Sequence, residues 1–88
     1  MRAEELAQLI RRKPFQPLRL HLTTGQTYDI RHPEFIIVQR QSAEVGLDPD
    51  PKTGVVDRVE YISLLHVVRI ENIESPIGPT KGNGEDRP

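Results

Sequence analysis

The chain has 88 residues and no cysteine, and 12 Lys plus Arg stand against 13 Asp plus Glu, a formal net charge of −1. Such a length makes one small domain that buries only about 60% of its unfolded surface, with no disulfide or thiolate metal site to supplement the core. The charge balance argues against gripping nucleic acid through bulk charge; with no apolar run near the roughly 20 residues a bilayer demands, and no signal-peptide apolar region at the start, a soluble cytoplasmic protein without membrane contact is expected.

Residues 3–13 are expected to form a helix. Leu6, Leu9 and Ile10 fall along one stripe with Ala3 and Ala7 beside them. Glu4 and Glu5 in the first turn and Arg11, Arg12 and Lys13 in the last complement the helix dipole, and Pro14 stops the helix. So short a helix is unstable alone and must dock its stripe.

From Pro17 the period becomes two. Leu18, Leu20 and Leu22 alternate with Arg19, His21 and Thr23, and beyond Gly25, Tyr28 and Ile30 alternate with Thr27, Asp29 and Arg31. A three-residue loop, Thr23-Thr24-Gly25, sets Leu20 opposite Tyr28 and Leu18 opposite Ile30, and puts Gly25 at the left-handed position of a bulged turn. A two-residue loop mixes the two faces. The favoured register also places Arg19 opposite Asp29, a cross-strand ion pair.

Pro33 interrupts the sheet. Phe35 to Arg40 reads as a third strand, and Ser42 to Leu47 continues it or returns beside it. The segment from Asp48 to Gly54, with two prolines and two acids, is the longest internal loop. Val55 to Ile62 is a further strand, Ser63 to His66 a single helical turn or bend, and Val67 to Ile73 the last strand. The expectation is a mainly β domain over 1–73: a short N-terminal helix, then a five-stranded, strongly bent antiparallel sheet or small barrel, which hides sheet edges. Residues 74–88, rich in Pro and Gly with a single large apolar residue, Ile77, read as a disordered tail. Lys81 and Arg87 come off the 12 basic residues and Glu74, Glu85 and Asp86 off the 13 acidic ones, so the folded part carries 10 of each and is neutral.

Arg12 to Phe35, RKPFQPLRLHLTTGQTYDIRHPEF, resembles a group of small uncharacterised bacterial proteins. In that group a short helix precedes a Pro-Phe-x-Pro segment, a Leu-x-Leu hairpin through Gly, and His-Pro-(Glu/Asp)-Phe; Leu65 to Ile70 matches its closing strand. The resemblance covers most of residues 4–71 and carries no activity to transfer. A weaker likeness is to Sm-like small barrels, whose order of a helix and five strands is similar, and it implies an SH3- or Sm-like architecture. The Asp-x-apolar-Asn element with which such barrels hold RNA bases is missing between Tyr28 and Val38, and the closing Arg-Gly pair is half present, Arg69 being followed by Ile70.

Two surfaces are candidates. The wet face of the first hairpin presents Arg19, His21 and Arg31, which with Arg69 form a candidate anion or nucleic-acid contact; Arg40 is a further phosphate donor on an Sm-like reading. The apolar surplus marks a candidate interaction edge at Phe35, Ile37, Val67 and Ile70. His21, His32, His66 and Glu34 lack metal-ligand spacing, so neither a metal nor another cofactor is expected. No nucleophile elbow, phosphate loop or dinucleotide fingerprint occurs, so no catalytic residue is assigned and the chain is not expected to be an enzyme. A non-enzymatic module that self-associates or meets a protein partner is the favoured expectation, with an RNA- or DNA-binding Sm-like barrel as the alternative.

Overall fold

The helix α1 spans Ala3–Arg11 in a computed structural model that describes residues 1–73; the tail expected over 74–88 lies outside the described residues. The Glu5 carboxylate accepts the Arg2 backbone N–H at 3.3 Å and so fixes the start. The end comes two residues earlier than expected. Lys13 precedes Pro14 and is pushed out of the helical region, and Arg12 is already extended, so only Arg11 of the three basic residues is in the last turn. The stripe docks as anticipated: Leu6 is fully buried, and Ala3, Leu9 and Ile10 pack against the core.

Among the described residues six strands follow, one more than expected, in two three-stranded antiparallel sheets. In the first, β1 (Leu18–Leu22) lies between β2 (Thr27–Ile30) and β6 (Val67–Asn72). In the second, β4 (Ser42–Leu47) lies between β3 (Ile36–Val38) and β5 (Arg58–Ser63). The β1–β2 register is the one argued from face consistency, with Leu18 opposite Ile30, Arg19 opposite Asp29 and Leu20 opposite Tyr28. Gly25 takes φ 93° in the turn. Ser42 to Leu47 is a return strand, its Ala43 opposite Val38 and its Val45 opposite Ile36.

Breaks between elements have local causes. A 3-10 turn at Pro33–Phe35 separates β2 from β3, because Pro33 cannot donate to a ladder; β3 therefore begins at Ile36 and is shorter than the stretch from Phe35 to Arg40. A second 3-10 turn, Leu64–His66, links β5 to β6. Val55 does not open β5. The Asp50 carboxylate accepts the Lys52 and Thr53 backbone N–H groups, and Thr53 Oγ1 accepts that of Val55 at 3.2 Å, so these residues belong to the loop.

The core lies between the sheets. Leu18, Leu20, Ile30 and Val67 from the first meet Ile36, Ala43, Val45 and Ile62 from the second, with Leu6 and Leu64 completing it. Among the described residues no ladder joins the two sheets, so they do not close into a barrel.

Candidate functional site

Alternation along β1 turns Leu18 and Leu20 inward and Arg19 and His21 outward. The same period, and the return of the last strand to β1, bring Arg69 beside His21 and Glu71 beside Arg19. A polar network results. Arg19 donates from Nε and Nη2 to the two Asp29 carboxylate oxygens, at 2.7 and 3.1 Å. Arg31 Nη2 stands 3.6 Å from the same carboxylate. His21 Nε2 lies 2.9 Å from Glu71 Oε1, and Arg69 Nη2 lies against the imidazole, 3.2 Å from Nε2 and 3.4 Å from Nδ1.

The fields follow from these contacts. Hydrogen bonds from Arg19, then its charge and those of Arg31 and His21, hold the Asp29 carboxyl below the usual carboxylate range. The hydrogen bond from His21, then the charges of Arg19 and Arg69, do the same for Glu71. The four cationic candidates Arg19, His21, Arg31 and Arg69 are thus brought to one side of the first sheet, interleaved with two carboxylates. Arg40 is not among them, since it sits in the β3–β4 connection of the other sheet. Glu71 escaped the sequence reading because the neighbour of β1 on its second side was not assigned; the alternation of Arg69 and Glu71 along the last strand was the available signal.

The apolar candidates separate. Val67 is 5% exposed and faces the core opposite Leu22, so it is a core residue and not part of an edge surface. Ile70 lies opposite Leu20 and is half-buried, and Phe35 is half-buried with its ring edge-on to His32. Ile37 alone of the four stands open, 58% exposed. It belongs to a row that crosses the outer face of the second sheet: Ile37 is opposite Glu44, which is opposite Tyr61. Tyr61 is 69% exposed. Val59, two residues along β5, lies opposite Gly46 on the same face, and Val56 lies so close over Gly46 that a Cβ there would come within 2.8 Å of it. Val59 and Tyr61 were not singled out as surface residues from the sequence; alternation in Arg58-Val-Glu-Tyr-Ile-Ser63 marks them once Ile62 is known to face the core.

A cleft of about 730 Å³ lies where β2 approaches the start of β5. Across it the Tyr28 hydroxyl donates to Glu60 Oε1 at 2.7 Å, a bond that with burial pushes the phenol pKa up. Arg58 lies 3.0 Å from Asp48 and 3.6 Å from Glu60. These side chains are matched to one another across the opening. Among the described residues no group of three His, Asp or Glu side chains is placed to hold a metal ion, and no helix is long and apolar enough to cross a membrane. No protein-family model, curated protein or solved structure matches this chain.

Proposed function

We propose that this chain is a non-enzymatic interaction module that associates with further copies of itself through the outer face of its second sheet, where Ile37, Val59 and Tyr61 are exposed. The observation that carries this reading is the exposure of Ile37 (58%), Val59 (46%) and Tyr61 (69%) on one sheet face, two of them on an edge strand. Large apolar side chains grouped on one face, beside open main-chain donors and acceptors, are the usual marks of an interaction surface. An aromatic side chain buries about 150–250 Å² when covered, enough to dominate a small interface. Short length and a neutral described part favour association further, since copies carry no net charge to repel one another.

Sedimentation velocity tests the reading. The mean mass should rise with concentration, and Tyr61→Lys, which adds charge at an exposed position, should remain a monomer. A wild-type chain that stays monomeric to near-millimolar concentration removes the proposal.

An RNA- or DNA-binding domain of Sm-like kind, without the closed barrel, is the second reading. It has in its favour that Arg19, His21, Arg31 and Arg69 share one side of the molecule. Asp29 and Glu71, interleaved with them, weaken it, because a phosphate would have to displace a carboxylate from Arg19 or His21. Titration of a single-stranded RNA at two salt concentrations separates the readings: a phosphate binder weakens steeply with salt and loses affinity on Arg31→Ala.

A further inference from the structure

The geometry points to a two-fold symmetric dimer in which β5 pairs antiparallel with β5 of a second copy, centred on Tyr61. This rests on the self-association reading and specifies its surface and register. Among the described residues, each sheet edge except β5 is guarded. The outward residues of β2 include Thr27 and Asp29; β6 presents Arg69 and Glu71, and its exposed Val68 sits in the bulge between the pairs His21–Arg69 and Leu22–Val67, which breaks the ladder there. β3 has three residues, follows Pro33 and lies against α1. β5 has six residues, turns Val59 and Tyr61 outward, and no described strand lies beyond it. Charge, proline and shortness are the devices that protect an edge; β5 is neither short nor broken by proline, and its two charges, Arg58 and Glu60, lie on the opposite face from Val59 and Tyr61 and are engaged with Asp48 and Tyr28.

The main chain fixes which residues can pair. Leu64 donates its backbone N–H to Gln41 O at 3.0 Å, extending the register that sets Ile62 opposite Ala43 and Glu60 opposite Val45. Even-numbered residues of β5 therefore direct their N–H and C=O groups to β4, and Val59, Tyr61 and Ser63 direct theirs to the open edge. A two-fold axis that keeps apolar faces together must pass midway between a residue and the same residue of the second copy. Centred on Glu60, it sets two carboxylates directly opposite, which is destabilising, and the outer pairs are lost because the Asp57 N–H already donates to Leu47 O. Centred on Tyr61, it pairs Tyr61 with Tyr61 of the second copy and Val59 with Ser63 of the second copy, each pair exchanging both hydrogen bonds. The outer row of Ile37, Glu44 and Tyr61 then continues into its symmetry mate across one sheet.

Cysteine cross-linking tests this cleanly, because the chain has no cysteine of its own. Opposed residues in such a pair lie about 5.5 Å apart at Cα, inside the disulfide range of about 4.4–6.8 Å. Under mild oxidation near the associating concentration, Tyr61→Cys should give a covalent dimer. Val59→Cys should not, since its two copies lie about 14 Å apart along the paired strands. The combination Val59→Cys with Ser63→Cys keeps Tyr61 and should again give a covalent dimer. A wild-type chain that associates by sedimentation while both cross-linking variants stay unlinked, or while Val59→Cys links as readily, overturns the β5 register and leaves the self-association reading intact. A wild-type chain that never associates sinks both. One strand pair and one aromatic contact fall below about 1,200 Å² of buried surface, the weak class of interface, so the experiment is run at high micromolar concentration.

Discussion

Asp29 and Glu71 organise the charges of the first sheet, and each makes a separate prediction. Because Arg19 holds Asp29 below the ordinary carboxylate range, its ionised form is favoured in the fold. The stability it contributes is complete above the unfolded pKa of about 4 and is lost as pH falls through the lower folded value. Asp29→Asn should cost up to about 1 kcal/mol at neutral pH, as expected of a half-exposed ion pair. The deficit should shrink as the pH of a denaturation series is lowered, until the two proteins coincide in strong acid. A deficit that grows on acidification contradicts the assignment. At Glu71 the leading cause is the hydrogen bond from His21. Carboxyl NMR should therefore find Glu71 titrating below an ordinary glutamate in the wild type, and moved back up in His21→Ala.

At the scale of elements, the turn and the helix dock are the joints. Gly25 at φ 93° has open space where a Cβ would go, so Gly25→Ala is opposed by backbone conformation alone and should cost about 1–2 kcal/mol in a urea titration. Leu6→Ala removes the one fully buried residue of α1 and should cost about 2–5 kcal/mol. These joints were legible in the sequence, and so were the hairpin register and the helix stripe, because each follows from a period of 3.6 or 2 and a Gly or Pro at a defined place. The division into two sheets was not. Periodicity says which face of a strand is buried but not which strand lies beside it, and the pairing of β1 with β6 joins residues about fifty positions apart. Val67 was misassigned to a surface for the same reason: within a run that is apolar on both faces, alternation carries no phase. The site split likewise. Arg19 and Asp29 are local partners and could be paired from the hairpin; Glu71 and Tyr61 acquire their places only from long-range pairing.

For the whole molecule, smallness couples folding to association. A 73-residue described part with a core of ten buried apolar residues has little stability in reserve, so a dimer that forms only from folded copies raises the apparent stability by mass action. The gain is about 2.7 kcal/mol when the concentration reaches about 100 times the dissociation constant, and each kcal/mol moves the midpoint of so small a domain by about 4–8 °C. The thermal midpoint of the wild type should therefore climb by several degrees between micromolar and near-millimolar protein. That of Tyr61→Lys should stay fixed, because position 61 is exposed and its replacement removes the contact between copies without touching the core. At the lowest concentration the two midpoints should coincide. If instead Tyr61→Lys melts lower at every concentration by a constant amount, Tyr61 supports the single domain, and the outer face of the second sheet is not where copies meet.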